Sequence, residues 1–220
     1  MARLRVAVLI SGRGSNLQAL IGECARDDAA AEIVLVLSNV PGAAGLERAR
    51  KAGIETATVG HRRFPGREAF EAAVEERLVA AEAGLVCLAG FMRLLTPGFV
   101  ERWRDRLINI HPSLLPSYKG LDTHARALAD GVRLAGCTVH FVRPDMDWGP
   151  IIVQAAVPVL AGDDAGALAA RVLEAEHRAY PLALRLIAAG RVSVTGERVA
   201  IAGAAAPEGP FLNPDDGAGA

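Results

Sequence analysis

Short apolar runs and longer stretches with a helical repeat of apolar positions alternate along the chain, and this alternation sets the fold expected of it. Leu4 to Ile10 is rich in β-branched residues and ends at Ser11-Gly12, after which Leu17, Leu20 and Ile21 recur at helical spacing. A strand, a glycine loop and a helix are predicted there. Glu32 to Leu37 predicts a second strand, Ala43 to Lys51 a helix closed by Gly53, and Glu55 to Val59 a short third strand. Arg67 to Ala83 has the pattern of a long amphipathic helix, and Leu85 to Ala89 that of a fourth strand stopped by Gly90. Pro97 opens a short helix that presents Phe99, Val100 and Trp103 to the core. Strands and helices in this alternation predict a parallel sheet with helices on both faces.

Beyond a strand that starts at Leu107-Ile108 the pattern changes. Thr123 to Asp130 reads as a helix, while Cys137 to Val142 and Ile151 to Val159 read as strands joined by a short loop, hence an antiparallel pair. Asp163 or Asp164 caps a helix running to about Ile187, in which Pro181 predicts a kink or break. Val192 to Ile201 supplies a last edge hairpin strand. The fold class expected is α/β: an open, mostly parallel sheet with an antiparallel C-terminal extension. It forms one domain over residues 1–202, and residues 203–220, rich in Gly, Ala, Pro and Asp, are expected to be a disordered tail.

Charge narrows the partners. The 24 Lys and Arg against 25 Asp and Glu leave a formal charge of -1, which gives no electrostatic case for nucleic acid or an anionic membrane. Cys24, Cys87 and Cys137 follow no metal-ligand or redox spacing and are expected to be buried free thiols in a reducing cytoplasm. The apolar N-terminus ends in a Gly-Ser turn without a cleavage pattern, so it reads as a first strand rather than a signal sequence. A cytoplasmic protein acting on small molecules, with no metal, is the expectation; whether it is a monomer or a homodimer stays open.

The candidate chemistry lies where strands stop. Asn109-Ile110-His111-Pro112-Ser113-Leu114-Leu115-Pro116 ends the strand from Leu107 abruptly, and alternation puts Asn109 and His111 on one side of it. An amide can donate to a developing oxyanion and an imidazole can move a proton near neutral pH, which suits acyl-type transfer. The bland alternative is a hydrogen-bonded pair finishing a strand. Ser11-Gly12-Arg13-Gly14-Ser15-Asn16 joins a strand to a helix N-terminus, so Gly14, Ser15 and Asn16 can hold a monophosphate, or Ser15 or Asn16 simply caps the helix. It matches neither a dinucleotide fingerprint nor a Walker loop, which counts against a nicotinamide oxidoreductase. Asp147, before Trp148-Gly149-Pro150, can meet His111 and favour its imidazolium, whereas Asp145 reads as solvated. His140 reads as a core or strand histidine; pairs such as Glu176-His177 on a long helix are mostly a wet face, the reading kept for His177. Arg67, in the first turn of its helix, either serves a function or snorkels to solvent, and Phe91 to Leu95 is core packing or one wall of a pocket for a flat heterocycle.

Four stretches together resemble one family: Gly12-Arg13-Gly14-Ser15-Asn16-Leu17-Gln18, Phe91-Met92-Arg93, Asn109 through Pro116, and Asp147-Trp148-Gly149-Pro150. From about Arg5 to Arg191 the chain looks like glycinamide ribonucleotide formyltransferase of purine biosynthesis, within the wider formyltransferase superfamily of Rossmann-like fold. The resemblance implies 10-formyltetrahydrofolate as co-substrate and the ribonucleotide's amine as acceptor. It implies catalytic roles for Asn109, His111 and Asp147, ribonucleotide contacts from Gly14, Ser15, Asn16 and Glu176, and folate contacts from Arg67, Met92, Arg93, Leu94, Leu95, Asn109 and Arg143. Asp122 stands where some relatives have histidine, and Trp148 is bulky where small residues are common. Methionyl-tRNA formyltransferase and formyl-tetrahydrofolate hydrolase are the alternatives within the superfamily. Each is expected to carry a further domain, RNA-binding in the first case and regulatory in the second. A non-catalytic scaffold on the same fold is disfavoured by the intact Asn109, His111 and Asp147.

Overall fold

The predicted runs resolve into β1 (Leu4–Ile10), α1 (Ser15–Cys24), β2 (Ala31–Ser38), α2 (Ala44–Lys51), β3 (Thr56–Thr58), α3 (Arg67–Ala80), β4 (Leu85–Leu88), α4 (Pro97–Arg102) and β5 (Leu107–His111). They continue as α5 (Thr123–Ala129), β6 (Leu134–Phe141), β7 (Ile151–Pro158), α6 (Ala165–Ala188), β8 (Val192–Thr195) and β9 (Arg198–Ile201). These come from a computed structural model, which describes residues 2–205, 209 and 211–214.

Seven strands make one sheet in the order β3-β2-β1-β4-β5-β6-β7. Pairing is parallel from β3 to β5 and antiparallel from β5 to β7, so the expected mixed sheet is observed. The strand order reverses direction between β1 and β4, and the crevice at the carboxyl ends of such neighbours is where open α/β sheets hold ligands. Side chains alternate across the sheet into two cores. Val6, Val8 and Ile10 pack with Leu17, Leu46, Val172 and Leu184 on one face, and Ala7 and Leu9 with Phe70, Val74, Phe99 and Trp103 on the other. Each large apolar side chain so buried contributes roughly 1.5–3 kcal/mol. Alternation in β5 sends Ile108 and Ile110 into the first core and Leu107 into the second, so Asn109 and His111 lie on the second face.

Some boundaries differ from the sequence reading for identifiable reasons. β6 starts at Leu134, three residues before the predicted strand, because Gly136 carries no apolar signal yet is required: a Cβ there would lie 2.0 Å from the Ala155 carbonyl oxygen. α3 ends at Ala80, and Glu82 then turns the chain with a left-handed φ of 50°. Pro181 does not break α6, which runs through it for 24 residues. The lost backbone bond is offset by burial of Tyr180, Ala183 and Leu184 around it. β8 and β9 form a two-stranded sheet of their own rather than an edge of the main one. All three cysteines are free, Cys87 and Cys137 buried and Cys24 half-buried, and burial pushes the Cys24 and Cys137 thiols up to about 11 and about 12. Of the expected tail, Asn213 donates through Nδ2 to the Val159 carbonyl at 3.1 Å, while 206–208, 210 and 215–220 lie outside the described residues. Among the described residues no helix is long and apolar enough to cross a membrane.

Candidate active site

Two loops meet at the crevice between β1 and β4. Ser11 N donates to Gly90 O at 3.1 Å, and Met92 N donates to Ser11 Oγ at 2.8 Å. Ser11 Oγ in turn donates to Asn39 Oδ1, so one serine ties the loop after β1 to the loop after β4. Gly14 is the N-cap of α1 with a left-handed φ of 72°, and a Cβ there would stand 2.7 Å from Gly45 Cα. Only glycine fits both demands. No side chain caps α1, so the simple cap by Ser15 or Asn16 is not what the loop builds. Instead Asn16 donates through Nδ2 to Glu176 Oε2 at 2.7 Å, while Asn16 Oδ1 is buried without a partner. Glu176 is not on a wet helix face: it is buried, and burial raises its carboxyl pKa while the Asn16 bond partly lowers it. Gly14, Ser15, Asn16 and Glu176 thus share one place, with the first-turn N–H groups of α1 uncapped.

The stretch after β4 leaves two apolar side chains open. Met92 and Leu94 stand out to solvent, Leu95 packs on the second core, and Arg93 Nε is buried without a partner. Phe91 below them stacks on Phe70 with centroids 6.4 Å apart. The loop is anchored by a residue the sequence reading passed over. Glu71, which the α3 pattern gives as one more polar position, is buried and accepts from both Thr96 N and Thr96 Oγ1, Thr96 being the N-cap of α4. Arg67 opens α3, exposed and, among the described residues, without an ion pair. Arg143 is buried, and its guanidinium pairs with Asp105 Oδ1 at 2.8 Å, near the start of β5, and with Glu197 Oε2 at 2.9 Å, in the β8–β9 turn.

Asn109, His111 and Asp147 do come together. His111 is buried, with Nδ1 3.3 Å from Asp147 Oδ1 and Nε2 2.9 Å from Tyr118 O. Both ring nitrogens face acceptors, and both are satisfied at once only by the doubly protonated ring. Asp147 Oδ2 accepts from Gly120 N at 2.7 Å. β6 ends beside Ile108, three positions before His111, so the loop from β6 to β7 turns back along β5 to deliver Asp147.

His140 is the site residue that the sequence reading left in the core. It sits opposite Asn109 in the β5–β6 register and at a bulge, since β7 pairs Val153 with Val139 but Ile151 with His140, leaving Ile152 as the extra residue. His140 Nδ1 donates to Phe141 O at 2.9 Å, which leaves Nε2 a bare acceptor 3.5 Å from Asn109 Nδ2. This fixes which way the amide of Asn109 points. Burial pushes the His140 imidazole down to about 4 from its ordinary 6.5, so it stays neutral at physiological pH. The folded state refuses a proton that the unfolded chain accepts below 6.5, so stability present above that value is lost as pH falls toward 4, by about 3 kcal/mol at full shift. Urea unfolding at pH 7, 5.5 and 4.5 checks this: the loss is expected in the wild type and is expected to shrink in His140→Gln.

The arrangement offers, at the carboxyl ends of neighbouring strands, an oriented amide, an imidazole held by a carboxylate, a helix N-terminus for an anion and exposed apolar side chains. Among the described residues no group of three or more His, Cys, Asp or Glu is placed to hold a metal ion. The family described as formyl transferase matches residues 4–184. The trifunctional purine biosynthetic protein adenosine-3 of Gallus gallus is 51% identical over 87% of this chain, which spans only 19% of that protein's length. Phosphoribosylglycinamide formyltransferase of Escherichia coli is 47% identical over 87% of this chain and 90% of its own. The crystal structure of glycinamide ribonucleotide transformylase 1 from Symbiobacterium toebii superposes with a TM-score of 0.88 at 49% identity, covering 90% of this chain and 94% of that one. With the loop, the amide, the imidazole and the acid all in position, the chain belongs to the formyl transferase family and, within it, to the phosphoribosylglycinamide formyltransferases.

Proposed function

We propose that this protein transfers the formyl group of 10-formyltetrahydrofolate to the amine of N1-(5-phospho-D-ribosyl)glycinamide in de novo purine biosynthesis, giving the N-formyl product and tetrahydrofolate. The observation that carries the reading is the juxtaposition of Asn109 and the His111–Asp147 pair beside an uncapped helix N-terminus with a buried carboxylate, Glu176, next to it. In this reading the N–H groups at Gly14, Ser15 and Asn16 take the phosphate, and Asn16 Oδ1 and Glu176 take ribose hydroxyls. Met92, Leu94 and Leu95 flank the folate's flat ring, Arg93 Nε gains the acceptor it lacks, and Arg67 meets the folate's carboxylates.

The amine nitrogen forms a bond to the formyl carbon, whose oxygen becomes an oxyanion. Asn109 donates to that oxyanion through the Nδ2 hydrogen that His140 does not take. As the bond from the formyl carbon to folate nitrogen breaks, that nitrogen takes a proton, and the proton released by the former amine passes through water to His111 Nε2, restoring the ring for the next turnover. His111 supplies the proton from Nε2, exchanging the neutral Tyr118 carbonyl for the substrate while Asp147 keeps the ring charged.

The test is direct. Purified protein is incubated with 10-formyltetrahydrofolate and, in separate reactions, with the ribonucleotide, with charged initiator tRNA, or with water alone as acceptor, and tetrahydrofolate formation is followed. Rapid formation only with the ribonucleotide is expected. Turnover with the tRNA alone, or equal turnover without any acceptor, would show a different member of the superfamily.

A further inference from the structure

Two loops supply the two acceptors around His111. One runs from Tyr118 to Asp122 and gives the Tyr118 carbonyl; the other runs from Val142 to Pro150 and gives Asp147. Both hold strained backbone, with left-handed φ of 53° at Tyr118, 55° at Asp122 and 47° at Asp147. Arg126 of α5 steadies the first loop from its own side. It donates to Lys119 O at 2.6 Å and stands 5.5 Å over the Tyr118 ring. Between the loops lie the bond from Gly120 N to Asp147 Oδ2 and a cation–π contact, Lys119 Nζ 4.8 Å from the centroid of Trp148. Trp148 is 45% exposed and its own main chain is fixed, since its carbonyl accepts from Arg143 N. Beyond the partial burial of its indole, what Trp148 adds between the loops is its contact with the ammonium.

We propose that Lys119 and Trp148 are positioning residues that latch the two loops and so set the spacing of Asp147 and Tyr118 O about His111. This rests on the formyl transfer proposed above only for its rate readout. The latch acts through His111, so its loss lowers kcat and leaves binding of either substrate alone. The contact draws on charge and an aromatic face, so variants keeping both keep the latch.

The experiment uses the full chain with Lys119→Met, Lys119→Arg, Trp148→Leu, Trp148→Tyr and the double variant Lys119→Met/Trp148→Leu. Lys119→Met and Trp148→Leu are each expected to lower kcat about threefold to fivefold, the range an exposed cation–π contact provides, with KM unchanged. Lys119→Arg and Trp148→Tyr are expected to stay near wild type, and the double variant to be no slower than either single one. Without any substrate, the Gly120 amide is expected to exchange its hydrogen about threefold to fivefold faster in Lys119→Met, read by NMR. A wild type that fails to turn over the ribonucleotide defeats the functional reading and leaves the exchange result to judge the latch. Additive losses, a rise in KM instead of a fall in kcat, or unchanged Gly120 exchange would overturn the latch.

Discussion

Asn109→Ala is expected to lower kcat by about a hundredfold or more, the usual cost of one oxyanion donor, with KM for both substrates changed little. The amide is oriented before substrate arrives, because one Nδ2 hydrogen is directed to neutral His140 Nε2 and the other is left for the reacting oxygen. Little reorganisation is then needed as charge develops, and the interaction is worth most in the transition state. The substitution also strands His140 Nε2 as a buried acceptor, a cost of about 1–3 kcal/mol in stability. Steady-state kinetics at saturating folate, with thermal melts alongside, separate the two effects. A fall in kcat/KM carried wholly by KM would assign Asn109 to binding instead.

The second large effect is expected from Asp147→Asn, with a loss in kcat of about a hundredfold or more. Both oxygens of Asp147 accept, Oδ1 from His111 and Oδ2 from Gly120 N. An asparagine has one oxygen to offer, so its NH2 must face either the imidazolium or the Gly120 amide. The loop bond and the acceptor for His111 Nδ1 cannot both be kept. His111→Ala removes the proton donor itself, and adding Asp147→Asn to it should cost little more, since the two residues act as a unit. Single and double variants measured in one series test this; a double variant much worse than His111→Ala would give Asp147 a role of its own, such as orienting a water.

The site was legible in the sequence where chemistry coincides with a strand end. Asn109 and His111 lie on the face and at the strand end that alternation and the prolines after them indicate, and the first four strands fall near their expected bounds because their apolar runs stop at glycine or at small polar residues. What the sequence hid was long-range. His140 looks like one more strand residue until β6 is paired in register with β5, and Glu71 looks like a wet helix position until Thr96 is laid across it. Glu176 likewise gives no local sign of burial, because its partner Asn16 lies 160 residues earlier. The partners of Arg143 are also distant in sequence, Asp105 before β5 and Glu197 in the β8–β9 turn. The uninterrupted course of α6 through Pro181 is a local rule overruled by the packing of Tyr180, Ala183 and Leu184 into the first core, which no propensity records.

The bulge at Ile152 makes strand alignment a working dimension of this protein. With His140 opposite Asn109 and the chain then required to return along β5 as far as His111, the segment from His140 to Ile151 is a gauge measured from both ends. Sliding β6 by one residue would set valine or phenylalanine against Asn109 in place of an imidazole, and would move Asp147 along with it. Removing Ile152 would straighten β7 and shift the far end of the same gauge. Insertions or deletions of a single residue here therefore differ in kind from those in the β8–β9 turn or the tail: the sheet can still close over them, but amide, imidazole and acid no longer arrive at a common point.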